Sequence, residues 1–140
     1  MVDRDILLAK IASIRKSLDR IRKVTGGASE SLNDQDVQDI FVLNLQRAVQ
    51  AAIDLAAHLV ADEKIGLPAN LKENFTLLES RQIIDAPLSK RLQAMVGFRN
   101  IAVHDYQQLN LTILKSILQH RLGDLDAFVQ VATQRFHDST

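Results

Sequence analysis

Cysteine is absent from all 140 residues, which excludes thiolate metal ligands, cysteine nucleophiles and disulfides and fits a cytosolic setting. Long apolar runs are missing too. None approaches the roughly 18 residues needed to span a bilayer, so no membrane partner is expected. The charged start Met1-Val2-Asp3-Arg4-Asp5 leads straight into an amphipathic pattern, and no secretory leader is expected. Net charge is zero, which counts against a protein that holds nucleic acid by its whole surface. No internal repeat, heptad array or low-complexity tract occurs. The sequence Thr25-Gly26-Gly27-Ala28 lacks the lysine that a phosphate-cradling glycine loop requires.

What remains has the make-up of a soluble globular domain, 46% hydrophobic and 24% charged. Its length suffices to bury a core without a staple, and residues 1–140 are expected to form a single domain. The charge is balanced but unevenly spread. Residues 1–24 carry a net +4 and residues 25–39 a net −4. A local basic surface is therefore available, though not a whole basic face.

Ile6, Leu7, Ile11, Ile14, Leu18 and Ile21 recur at steps of three and four, which predicts an amphipathic helix over residues 4–24, closed by Thr25-Gly26-Gly27. A second and longest helix is expected from about Asp36 to Ala61, capped by Asp34 or Asn33. Its apolar stripe is rich in alanine, which permits close approach of a neighbour. Asn44 lies inside that stripe and needs a partner if buried. Asn70 is placed to cap a short helix containing Phe75, Leu77 and Leu78. Asp85-Ala86-Pro87 opens a helix that runs through Leu92 and Met95 into Arg99 and Asn100, with proline where its missing donor costs nothing. The last helix is expected from Asn110 to Phe136 without a break, Gly123 being tolerated within it. No segment alternates like a strand. The fold class expected is all-α, an antiparallel bundle of four long helices plus one short helix.

The stretch Arg99-Asn100-Ile101-Ala102-Val103-His104-Asp105-Tyr106 departs from ordinary packing. It holds the chain's one tyrosine. Arg99 and His104 are five apart, about 140° around a regular helix, and would point away from each other. Either the helix ends or distorts near Val103, or the pair serves a site shared by two subunits across a two-fold axis. The residue set suits cleavage of a phosphodiester without a metal. Imidazole, titrating near pH ~6.5 as a class, can take a proton from a ribose 2′-OH or return one to the leaving oxygen. Arginine can stabilise the phosphorane charge, and Asn100 can orient the histidine or a phosphate oxygen. An arginine and a histidine near a helix end are also common in any helical protein. Tyr106 can equally stack on an RNA base or pack against the final helix. His58 reads as a structural or surface histidine. His58, His120 and His137 have no metal-ligand spacing to His104.

The same stretch resembles the signature of the HEPN superfamily, an arginine and a histidine across a short spacer with a polar residue after the arginine. More narrowly it is similar to the HepT toxin branch, in which tyrosine follows two positions after the histidine. Asn44-Leu45-Gln46-Arg47, Asn74-Phe75-Thr76-Leu77-Leu78 and Met95-Val96-Gly97-Phe98-Arg99-Asn100 are similar to HepT proteins as well, so the likeness covers residues 4–136. The resemblance implies a homodimeric helical ribonuclease, the toxin of a type VII toxin–antitoxin system. Arg99 and His104 of both subunits would line its cleft, and no metal or cofactor of its own would be needed. The implied partners are an RNA substrate, transfer or messenger, and an MntA-type minimal nucleotidyltransferase antitoxin. That antitoxin uses ATP to attach AMP to the motif tyrosine, here Tyr106. The competing expectation is a non-catalytic helical module that binds a nucleotide or protein as the partner of a nucleotidyltransferase.

Overall fold

In the computed structural model of the chain, residues 4–105 and 109–138 are described, and every regular element among them is helical. Helix α1 (Arg4–Thr25) buries Leu7, Ile11, Ile14, Leu18 and Ile21. It stops where Gly26 and Gly27 adopt φ of +60° and +76°, a region that only glycine enters without steric cost. A 3₁₀ turn (Ser29–Asn33) occupies the acidic stretch and tucks Leu32 into the core. Helix α2 (Gln35–Asp62) starts at Asp34, whose carboxylate accepts from the backbone N–H groups of Asp36 (2.8 Å) and Val37 (3.3 Å).

Helix α3 (Glu73–Ser80) follows a turn in which the Asn70 side chain accepts from the Glu73 N–H at 3.0 Å. Helix α4 (Ala86–His104) is capped by Asp85, which accepts from the Leu88 N–H at 2.8 Å, with Pro87 in its first turn. The buried Asn44 finds its partner within α2: Nδ2 donates to the Ile40 carbonyl at 2.9 Å.

The last helix is not continuous. It divides into α5 (Leu111–His120) and α6 (Leu122–Asp138). Arg121 sits between them at φ −118°, and its N–H donates back to the Ile117 carbonyl at 2.9 Å. The step re-aims Asp124 in the first turn of α6. That carboxylate is buried and accepts from Nε of Arg91 on α4 at 2.8 Å. The sequence pattern hides the step because Leu118, Leu122 and Leu125 keep helical spacing across it and all three are buried.

Helix α2 is the centre, packed against α1, α3, α4 and α6. Its face of Leu45, Ala48, Ala52, Leu55 and Ala56 is sealed, small side chains admitting α1 closely. Phe75 and Phe128 close the far side edge to face, ring centroids 5.6 Å apart. By length and composition α2 is apolar enough to cross a membrane, but 61% of its most apolar window is buried inside the bundle. It is the core helix of this bundle.

Helices α2 and α3 share a closing device. Lys64 and Gln82 each sit just past the helix at positive φ, 53° and 59°. The next N–H donates back five residues in each case, Ile65 to Val60 at 3.2 Å and Ile83 to Leu78 at 3.0 Å. A side chain there strains the backbone by about 1 kcal/mol, partly offset in a glycine variant by its looser unfolded chain. Lys64→Gly and Gln82→Gly are each expected to raise stability by about 0.5 kcal/mol in urea unfolding. A loss of stability in both would contradict this account of the closures.

Candidate active site

Helix α4 turns Leu88, Leu92, Met95, Val96 and Ala102 into the bundle. Arg99 falls on that same stripe, one turn after Met95 and Val96. Its stem is therefore half-buried against α2, and its guanidinium meets polar groups at the edge of the core. Nε donates to Oε1 of Gln50 at 2.9 Å, and Nη1 donates to Oδ1 of Asn100 at 3.1 Å. Gln50 is itself oriented: its Nε2 donates to Oδ1 of Asp54 at 3.0 Å, and Oδ2 of Asp54 accepts from Nζ of Lys10 at 3.0 Å. With an acceptor on one side and a donor on the other, only one setting of the Gln50 amide satisfies both.

The electrostatic result follows from which groups touch the arginine. Among the described residues, both hydrogen-bond partners of Arg99 are neutral amides, and the nearest carboxylate in the chain of bonds, Asp54, is paired with Lys10. The guanidinium is held in place without being neutralised. Among the described residues nothing else takes its remaining Nη donors, whose fork geometry suits a phosphate.

His104 is the last residue of α4 and is exposed. The Asp105 N–H donates to the Ile101 carbonyl at 2.8 Å, so the helix holds its register through the histidine. Of the end or distortion expected near Val103, the structure shows the end: α4 stops one residue later, at His104, with its backbone regular to that point. Arg99 faces α2 while His104 lies about 140° around the axis, and no hydrogen bond joins His104 to Arg99, Asn100 or Gln50. Within one chain the structure thus brings Arg99, Asn100 and Gln50 together and leaves His104 apart. Tyr106 lies outside the described residues. Gln50 and Asp54 escape sequence reasoning, their only signal being two polar side chains four apart at the margin of the α2 stripe.

Beside the motif the surface is apolar. Ile101, Val103 and Ile113 are 45%, 42% and 55% exposed. A groove of about 640 Å³ runs between α4 and the segment leading into α5, floored by Met95, Phe98 and Ile117. Among the described residues, no three His, Asp or Glu side chains gather to hold a metal ion.

Residues 14–132 match the family described as HepT-like ribonuclease. An mRNA nuclease HepT from Shewanella oneidensis is 45% identical over 127 residues, covering 91% of this chain and 96% of that protein. A tRNA nuclease HepT from Aphanizomenon flos-aquae is 29% identical over 106 residues, 75% of this chain and 72% of that one. Among solved structures, a toxin–antitoxin complex with AMP-PNP superposes with a TM-score of 0.87 at 43% identity, over 93% of this chain and 98% of that one. A tri-AMPylated Shewanella oneidensis HEPN toxin in complex with its MNT antitoxin gives 0.86 at 44% identity, with the same coverage.

The Gln50 clamp is testable by itself. Gln50→Leu is expected to cost about 1–2 kcal/mol in unfolding and to expose the Arg99 Nε–H, speeding its solvent exchange by NMR about tenfold or more. Gln50→Glu should keep that proton protected. Equal exchange in wild type and Gln50→Leu would show that the clamp does not hold the arginine.

Proposed function

The chain belongs to the HepT-like ribonuclease family, and on that premise we propose that it is the toxin of a HepT/MntA-type toxin–antitoxin pair. It is an endoribonuclease that works without a metal, its site assembled from Arg99 and His104 of two copies of the chain. The observation that carries this reading is the divergence of the two side chains on an undistorted α4. One copy offers an arginine and a histidine that cannot face one scissile linkage, whereas a two-fold axis beside α4 lets each copy supply what the other's cleft lacks. The apolar patch of Ile101, Val103 and Ile113 beside the motif supports a second copy packed there.

In that cleft one His104 imidazole removes the proton from a ribose 2′-OH, and the oxygen attacks the adjacent phosphorus. The bond to the 5′-oxygen breaks, and the partner copy's imidazolium returns a proton to it. The products are a 2′,3′-cyclic phosphate and a 5′-hydroxyl end. Arg99 binds the non-bridging oxygens with the donors that Gln50 and Asn100 leave available, and Asn100 sets their approach. The requirement for a 2′-OH limits cleavage to RNA. Residues 1–140 act as one domain, four long helices (α1, α2, α4, α6) with α3 and α5 as short ones, in the cytoplasm where RNA is met.

Control falls to an MntA-type nucleotidyltransferase, which draws on ATP to place AMP on Tyr106. A related toxin–antitoxin complex holds AMP-PNP and a related toxin is tri-AMPylated. Tyr106 is the chain's single tyrosine. Each AMP sets a purine and a phosphate two residues from His104, where they compete with RNA for Arg99 and fill the cleft.

Purified wild-type protein is expected to cleave RNA in the presence of a chelator, and Arg99→Ala and His104→Ala each to lower kcat by about 10²-fold or more. Equal cleavage by all three proteins would sink the assignment. Tyr106→Phe should remain an active nuclease and keep arresting growth when the antitoxin is co-expressed; full neutralisation of that variant would place the modified residue elsewhere.

A further inference from the structure

The antiparallel faces of α1 and α2 enclose a trough of about 580 Å³, of whose lining the Arg99 clamp uses only Lys10, Gln50 and Asp54. Its floor is small and neutral: Ser17, Asn44 and Ala51 are all buried. Its rim is cationic, with Lys10, Lys16 and Arg20 from α1 and Arg47 from α2, against the one carboxylate of Asp54. That carboxylate is already paired with Lys10 and bonded to Gln50. Among the described residues, Lys16, Arg20 and Arg47 have no ion-pair partner. The adjoining outer flank of α1 shares Lys16 and Arg20 and adds Arg15 and Lys23 against Asp19. In a chain of zero net charge, this concentration of cations is local, and its folded position explains the basic excess of residues 1–24.

The trough also has a direction. Gln50 lies on its wall and accepts from Arg99 Nε at 2.9 Å, so the cationic rim leads to the guanidinium that meets the scissile phosphate. From Arg20 to Lys10 the rim follows α1 for about 15 Å, room for several phosphates of one strand.

We propose that the α1/α2 trough is the phosphate track for the RNA strand flanking the cleavage point, with Lys16, Arg20 and Arg47 binding its backbone. The proposal rests on the ribonuclease reading for the identity of the strand. On the floor, Ser17 and Asn44 are buried, and Asn44 Nδ2 is already bonded to the Ile40 carbonyl, so the accessible groups of the trough are mainly its cations. The track therefore adds affinity for any single strand and steers it to Arg99.

The test separates the track from the chemistry. In a His104→Ala background, binding of a labelled single-stranded RNA of roughly twenty nucleotides is followed by anisotropy across a salt series. Adding Lys16→Gln and Arg47→Gln is expected to weaken binding about tenfold at low salt and to flatten the slope of log K against log salt by about 1.4, two contacts at about 0.7 each. In the active background the same pair should leave cleavage of a dinucleotide within about twofold, while raising KM for the long strand about tenfold. Both variants are exposed, and unchanged thermal melting checks the fold. Unchanged affinity and slope would overturn the proposal. So would intact RNA binding with loss of antitoxin capture, which would assign the trough to a protein partner. A wild-type protein that cleaves no RNA would overturn the ribonuclease reading, while the anisotropy arm would still decide the track.

Discussion

A guanidinium on the inward stripe of a core helix needs a partner, and the kind of partner decides what it can do. Arg99 occupies a place where methionine, valine and alanine stand one turn away, and it is tolerated because Gln50 receives its Nε–H. A carboxylate in place of Gln50 would have satisfied the same donor and cancelled the charge. A neutral amide satisfies it and leaves the charge. The rest of the structure follows from that choice: Asp54 turns the Gln50 amide, Lys10 occupies Asp54, and α1 and α2 lie close enough for the chain of bonds to close.

That closeness is set by α2. Its alanines admit α1, its caps fix where it begins and ends, and every other long helix leans on it. The bundle is therefore an alignment device as much as a core. The salt bridge from Arg91 to the buried Asp124 fastens α4 to α6, and Glu63 at the end of α2 binds Arg135 near the end of α6. The first cross-link holds α4, whose final turn ends in His104, and the second fastens α6, on which α4 leans, to α2, so the orientation of that turn is inherited from contacts far from the motif.

Much of this was legible in the residues. The spacing of Leu7, Ile11, Ile14 and Leu18 locates α1, and Asp34, Asn70 and Asp85 each mark a helix start where the structure places one. The motif of Arg99 and His104 stands out through its resemblance to HepT proteins, since an arginine and a histidine near a helix end are common in any helical protein. Two features were not legible. The step at Arg121 is masked by leucines that keep helical spacing across it, because apolar periodicity records which face is buried and not whether the backbone is continuous. The clamp on Arg99 comes from a residue 49 positions away; a glutamine at the rim of an apolar stripe carries no mark of what it will meet in three dimensions.

The opposed directions of Arg99 and His104 on one unbroken helix have a bearing on dosage. On the two-copy reading, a newly synthesised chain is harmless by construction, since it owns only halves of two sites. Below the dissociation constant of the pair, output grows with the square of chain abundance, so a small leak in expression stays silent while a modest surplus over the antitoxin becomes lethal. On that reading, helix geometry at five residues' spacing sets a threshold in the cell.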